Sequence, residues 1–196
     1  MEKRKTSFDT KTIVGLGLLT AIVIVLQAAA LSIKFGIFSI TLVLVPIIVG
    51  SALYGAKAGA WLGFVFGVVV LFTDAGAFLA INVPGTVVTC ILKGIVSGLA
   101  AGAVYNVLHS KSNIIAVIMA GLVSPIANTG IFLLGCVLFF MDTIKVWALE
   151  AGFGNAYTYL ITSFVGLNFI VEMAINLVLS STIVVIIKIG TKKLEK

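Results

Sequence analysis

The sequence predicts an all-α integral membrane bundle of six transmembrane helices with both termini in the cytoplasm. Of the 196 residues, 61% are hydrophobic and only 10% are charged, whereas a typical soluble domain carries about 25% charged residues. Apolar stretches of about 20 residues, the length that crosses a bilayer, occupy nearly the whole chain. We therefore expect a single membrane domain over residues 1–196, including a short N-terminal segment (1–11) and a C-terminal tail (189–196).

The apolar segments and the turn residues between them predict the individual spans. The spans are expected at about residues 12–31, 40–55, 57–73, 84–108, 113–140 and 158–188. A turn in "YGAKAG" separates the second from the third. Pro84 suits the first turn of the fourth helix, and Pro125 predicts a kink in the fifth because it removes a backbone hydrogen bond.

The distribution of basic residues predicts the orientation. If both termini are cytoplasmic, ten basic residues face inward and two, Lys34 and Lys145, face outward. The inward set is Lys3, Arg4, Lys5, Lys11, Lys57, Lys111, Lys188, Lys192, Lys193 and Lys196. The net charge of +6 is then a topology signal rather than a nucleic-acid footprint. No small-residue cleavage site follows the first apolar segment, so we expect a retained helix.

Two rows of glycines repeat at four-residue steps. They are Gly55, Gly59, Gly63 and Gly67 around the third span and Gly94, Gly98 and Gly102 in the fourth. Such rows let helix backbones approach closely in a membrane, so they favour internal packing over a ligand role. Gly17 and Ala21 form a shorter row in the first span, which either packs inside the bundle or docks another membrane protein.

Several polar side chains lie inside the predicted spans. Asn168, Glu172 and Asn176 recur at four-residue steps and share one helix face, although a charged side chain at mid-bilayer costs about 2.5–3.5 kcal/mol or more. From the helical rise, Lys93, Asn128 and Asn168 lie roughly 13–18 Å from the outer surface, and Glu172 lies about a turn deeper. Glu172 is therefore expected to pair with Lys93 or with a ligand. A buried ion pair that only sets helix register is the alternative.

The outer connections and the absent motifs complete the functional hypothesis. "KFGIFS", "DAGAFLAINVPG" and "EAGFGNAYTY" are rich in aromatics, which would either cap a pocket or face lipid headgroups. Asn82 and Thr86, at the outer start of the fourth span, join the candidate binding residues.

No phosphate loop, HExxH or GxSxG occurs, so no enzyme activity, cofactor or metal is expected. His109 is expected to be a solvated residue of an inner connection.

The ordered segments "LYGAKAGAWLGFVFG", "NVPGTVVTCILKGIVSGLAAG", "SPIANTGIFLLG" and "NFIVEMAINLVL" resemble the substrate-binding S subunits of energy-coupling-factor (ECF) vitamin transporters. The resemblance implies a multi-pass protein of a prokaryotic plasma membrane that binds a vitamin from outside, in the outer halves of spans four to six. It implies docking on a membrane T subunit and two ATPases, which drive release of the vitamin to the cytoplasm. In the family a patch of small residues in the first span makes this contact. Gly17 and Ala21 match the patch, with glycine replacing the family's first alanine. The pattern is most similar to the pantothenate members of the riboflavin, pantothenate and folate branch.

Two other classes of function remain open from the residues alone. A stand-alone proton-coupled secondary transporter would use Glu172 as its coupling carboxylate, but the two halves show no inverted repeat of the kind many such proteins have. A structural subunit would use Lys93 and Glu172 for folding alone. Replacing such a pair by apolar side chains is often neutral or stabilising.

Overall fold

The computed structural model describes residues 10–30, 34–35, 38–39 and 42–194. Its elements are α1 (Thr10–Ala30), a short antiparallel pair β1 (Lys34–Phe35) and β2 (Phe38–Ser39), α2 (Leu44–Tyr54), α3 (Ala56–Thr73), α4 (Gly76–Leu79), α5 (Val83–Leu108), α6 (Asn113–Phe139), α7 (Met141–Glu150), α8 (Ala156–Tyr159), a π-helical segment (Leu160–Val165) and α9 (Gly166–Leu194). The chain is thus a helical bundle, as its composition predicts.

Five helical segments in the described part of the chain are long and apolar enough to cross a membrane. They are Thr10–Ala30, Ala56–Thr73, Val83–Leu108, Asn113–Phe139 and Ala156–Ser180. The second predicted span is shorter than expected, because α2 has 11 residues and reaches only about 16 Å. Residues 40 and 41 lie outside the described residues. Six full spans and cytoplasmic termini therefore stay predictions, and the outer and inner ends of the bundle are named from this predicted orientation.

Helix boundaries follow local sequence signals. Gly55 separates α2 from α3 and has a φ of 91°, a backbone conformation that residues other than glycine rarely adopt. The predicted turn in "YGAKAG" is therefore confirmed. Asn82 caps α5 because its Oδ1 accepts a hydrogen bond from the Gly85 backbone N–H at 2.9 Å. Pro84 lies in the first turn of that helix. α6 continues through Pro125.

The predicted role of the glycine rows in internal packing is confirmed. Gly59, Gly63 and Gly67 of α3 lie directly against the backbone of α5 at Gly98, Gly94 and Cys90. A methyl group added to Gly59 would lie 2.5 Å from the Gly98 carbonyl oxygen. At the Gly59–Gly98 and Gly63–Gly94 contacts neither helix carries a side chain, which allows this close approach.

The remaining helices surround this pair. α2 is almost fully enclosed, with Leu44, Ile47 and Ile48 having no exposed surface, so it fills the bundle rather than facing its surroundings. α6 packs on α5 and α9. α1 lies at the periphery, where it contacts α2 and α3.

Candidate functional site

Lys93 of α5 lies between two aromatic rings from neighbouring helices. Its ammonium Nζ is 5.6 Å from the centre of the Phe66 ring on α3 and 5.4 Å from the centre of the Phe132 ring on α6. Both distances are within the range of cation–π attraction. The aromatic faces attract the charge without supplying the oxygen acceptors that an ammonium's three N–H donors prefer. The ammonium is therefore held in place in a form that can still bind an anionic group.

A buried hydrogen bond aligns α5 with α6 next to Lys93. The Ser97 hydroxyl donates to the Ser124 carbonyl oxygen at 2.9 Å and lies 2.8 Å from the Ser124 hydroxyl, and neither side chain is exposed. Because the two helices run in opposite directions, one turn outward from this contact brings Lys93 opposite Asn128. The tertiary structure thus places these two predicted site residues at one level.

Two polar atoms beside Lys93 are buried and lack a protein partner. Asn128 is 7% exposed and Thr89 is 5% exposed, and among the described residues neither the Asn128 Oδ1 nor the Thr89 Oγ1 has a hydrogen-bond partner. Buried polar groups are normally hydrogen-bonded, and an unsatisfied one costs about 1–3 kcal/mol. The Thr89 side chain lies against Gly135 of α6, in the contact between the two helices. The Asn128 Oδ1 is therefore the atom beside Lys93 whose hydrogen bonding a ligand would complete. Sequence reasoning missed Thr89, which reads as an ordinary threonine in a span.

The polar stripe of α9 faces the interior as far as it is described. Glu172 is 8% exposed and Asn176 is 3% exposed, and Asn176 packs beside Gly121 of α6. This contact brings Glu172 to the level of Pro125, one turn nearer the inner end than Asn128. The side chain of Asn168 lies outside the described residues. Whether Glu172 contributes to ligand binding stays a prediction.

Asn82 and Thr86 have structural hydrogen bonds at the outer start of α5. Besides the Asn82 cap, the hydroxyl of Thr86, which is 2% exposed, donates to the Asn82 carbonyl oxygen at 2.7 Å. Both polar groups thus stabilise the first turn of the helix. Their role in binding a substrate stays a prediction.

An aromatic cluster covers the outer end of the site, and Phe78 of α4 is its centre. The Phe78 ring makes edge-to-face contacts with Phe132 (5.8 Å), Phe140 (5.0 Å), Trp147 (5.9 Å) and Phe164 (6.1 Å between ring centres). Because Phe132 also contacts Lys93, the cluster is continuous with the ammonium site. The outer aromatics of "DAGAFLAINVPG" thus pack inward, whereas Tyr157 of "EAGFGNAYTY" is 58% exposed. The ten-residue helix α7, which sequence reasoning did not predict, carries Trp147.

A second polar contact, also missed from the sequence, joins α1 to the outer end of α3. Gln27 is 1% exposed, and its Nε2 donates to the Asp74 carboxylate at 2.6 Å. The two residues are 47 positions apart, so no local pattern relates them. The contact holds the peripheral helix α1 against the bundle.

The small residues of α1 face outward. Gly17 and Ala21 are both exposed, and no atom lies within 4 Å of a methyl group placed on Gly17. Exposed Val14, Leu18 and Val25, at 64–66%, flank them. Of the two expectations for this row, packing inside the bundle is therefore wrong, because Gly17 and Ala21 are exposed in the described part of the chain. Its use as a docking surface stays a prediction.

Comparison with protein families identifies one match. The family model described as "ECF transporter, substrate-specific component" matches residues 11–186, which is most of the chain. Neither the comparison with curated proteins nor the comparison with solved structures finds a match.

Proposed function

The chain belongs to the family of ECF transporter substrate-specific components, and we propose that it captures a water-soluble vitamin, pantothenate, at the outer end of its helical bundle. Membership itself makes the chain a membrane-embedded substrate-binding subunit of an importer rather than an enzyme, with a T subunit and ATPases as general partners. The identity of the vitamin and the residues that bind it are the proposal.

The observation that carries the proposal is the Lys93 ammonium held between Phe66 and Phe132. In a site shielded by aromatic rings, an ammonium is a point charge suited to a small carboxylate. Pantothenate carries one carboxylate, together with hydroxyl groups and an amide. The Asn128 Oδ1 would accept a hydrogen bond from a ligand hydroxyl or amide N–H.

The aromatic cluster around Phe78 supports the same assignment. It combines residues from α4, α6, α7 and the π-helical segment, so these outer elements meet above Lys93. Small-molecule sites are typically apolar enclosures with a few convergent polar groups. Riboflavin and folate are the alternatives within the same branch. Their larger ring systems would rely more on stacking with this cluster than on Lys93.

Ligand-induced thermal stabilisation of the purified protein in detergent tests the proposal. Pantothenate at about 100 times its dissociation constant should stabilise the folded state by about 2.7 kcal/mol. Lys93→Met should weaken binding about 30-fold or more, since loss of one partner of a buried charge pair costs at least about 2 kcal/mol. Lys145→Met is the matched control, because Lys145 is an exposed outer lysine paired with Asp142 at 3.0 Å.

A ligand lacking the carboxylate separates a charge effect from a packing effect. Panthenol replaces the pantothenate carboxylate with an alcohol, so the wild-type protein should prefer pantothenate strongly and Lys93→Met should bind the two about equally. A thermal shift with riboflavin or folate but not with pantothenate would make the substrate assignment wrong. Equal discrimination by wild type and Lys93→Met would show that Lys93 does not bind the carboxylate.

We also propose that the exposed Gly17 and Ala21 face of α1 docks the T subunit in a prokaryotic plasma membrane. The support is that Gly17 and Ala21 are small, as close helix contacts in membranes require, and that both are exposed in the described bundle. The ATPases of the assembled importer would supply the energy, in keeping with the lack of a phosphate loop here.

A further inference from the structure

A cavity lies at the opposite end of the bundle from Lys93. It has a volume of about 350 Å³ and lies between the α5–α6 connection and the end of α9, where Tyr105, His109 and Asn113 face Ile187, Lys188 and Thr191. Lys93 and His109 are 16 positions apart on and just beyond α5, which corresponds to about 24 Å along the helix. This cavity is therefore separate from the proposed vitamin site.

The polar side of the cavity suits an anion. Lys188 supplies a positive charge, and none of the described residues lining the cavity is acidic. The imidazole of His109 is held in place by stacking on Tyr105, with ring centres 5.6 Å apart and planes inclined by 12°. Its Nδ1 donates to the Asn106 carbonyl oxygen at 2.8 Å, since a carbonyl can only accept. In the neutral imidazole Nε2 is then an acceptor, which suits a ligand hydroxyl rather than an anionic oxygen, so the positive charge of the cavity comes from Lys188.

The start of α6 adds to the positive character of the cavity. Asn113 is the first residue of this 27-residue helix, and the N-terminus of a helix carries a partial positive charge and backbone N–H groups that favour anions. Lys188, His109 and the start of α6 thus come from three separate parts of the chain and converge on one cavity.

The other side of the cavity is apolar and open to the membrane. Ile189, which also lines the cavity, is 54% exposed, and the neighbouring Ile186 and Val107 are 43% and 71% exposed. Lys188 lies at the inner end of the predicted sixth span, 158–188, where a basic side chain is expected to meet lipid headgroups. A free anion would make no use of this apolar surface, whereas acyl chains would cover it.

We propose that this cavity binds the phosphate headgroup of an anionic phospholipid, with its acyl chains lying along the exposed apolar side chains of α5 and α9. Basic pockets between transmembrane helices on the cytoplasmic side are a known setting for anionic headgroups. The volume falls in the range of small-ligand sites. Such a lipid would bridge α9 to the α5–α6 connection and hold the inner end of the bundle together.

The test adds either phosphatidylglycerol or phosphatidylcholine to the purified protein in detergent. The thermal stability of the protein is measured for each lipid, and native mass spectrometry counts the lipids that the protein retains. Wild type should retain phosphatidylglycerol preferentially and be stabilised by it. Lys188→Gln should weaken this binding about fivefold, which corresponds to the roughly 1 kcal/mol that one lysine contributes at an anionic surface. Lys111→Gln, which removes an exposed lysine from the same end but outside the cavity, should not.

Four outcomes would overturn the proposal. Equal stabilisation by the two lipids would exclude recognition of the anionic headgroup, and equal loss in both lysine variants would show a general surface-charge effect. Equal stabilisation by inorganic phosphate alone would identify a free-anion site instead. If phosphatidylglycerol has no effect while Lys188→Gln weakens co-purification with the T subunit and ATPases, the cavity serves a protein partner.

Discussion

Replacing Gly59 with alanine tests whether the close approach of α3 and α5 holds the bundle together. The added methyl group would lie 2.5 Å from the Gly98 carbonyl oxygen on one side and 2.7 Å from the Cβ of Ser51 on the other. Ordinary van der Waals contact begins near 3.4 Å, so one helix would have to move by about 1 Å. Since Gly98 presents its backbone and Ser51 is fully buried, no flexible side chain can make way.

The expected loss of stability follows from two opposing terms. Overpacking a well-filled interior costs about 1–3 kcal/mol, whereas alanine in place of glycine within a helix recovers about 0.5–1 kcal/mol. The midpoints of these two ranges leave a net destabilisation of about 1 kcal/mol. For a chain of this size, that corresponds to a fall in Tm of about 2–4 °C.

Thermal unfolding in detergent, followed by tryptophan fluorescence, measures the effect. Gly130→Ala is the matched control, because Gly130 lies within α6 and no atom is within 4 Å of its added methyl group. The Tm of the Gly130→Ala variant should rise slightly or stay unchanged. If Gly59→Ala and Gly130→Ala have the same Tm, the helices do not approach as closely as described, and the packing role of the glycine rows is wrong.

Two further predictions concern α1. Ala21→Leu should abolish vitamin uptake by the assembled importer while leaving vitamin binding by the purified subunit unchanged. Ala103→Leu, at an exposed position on α5, should affect neither uptake nor binding. Normal uptake by Ala21→Leu would exclude this face from docking. Gln27→Leu should lower the free energy of unfolding by about 1.5–3 kcal/mol, because it removes a buried hydrogen bond to the Asp74 carboxylate. Thr73→Val removes the hydroxyl contacts to Gln27 at 3.4 Å, to the Asp74 carboxylate at 3.3 Å and to the Val69 carbonyl oxygen at 3.1 Å. All three are longer than the 2.6 Å bond of Gln27 to Asp74, so this variant should lower the free energy of unfolding less, and equal losses would contradict this ranking.

Local sequence signals were sufficient for most of the helical architecture. Spans are set by the length of apolar runs, and the turn at Gly55 follows from the one residue type that tolerates its φ of 91°. The four-residue spacing of Gly59, Gly63 and Gly67 indicated a close helix contact in advance, because a helix brings such positions onto one face. The partner of that face, α5, carried the same signal in Gly94 and Gly98.

The sequence was least informative where length or periodicity was ambiguous. The second span was predicted over 40–55, yet α2 has 11 residues and is enclosed by its neighbours. An apolar run predicts burial equally well in lipid and in protein, so composition could not separate the two. α7 was missed because its ten residues, Met141–Glu150, mix polar and apolar side chains and its buried side, Ile144 and Ala148, is short.

By itself the sequence determined a helical membrane bundle, its glycine-lined contact and its family, because these depend on the types and spacing of residues along the chain. Only the tertiary structure decided what surrounds each polar side chain. Lys93 lies between Phe66 and Phe132, and Gln27 binds Asp74 across 47 positions. Such contacts depend on how each helix is rotated and shifted against its neighbours, which packing of the whole bundle sets and no local pattern encodes.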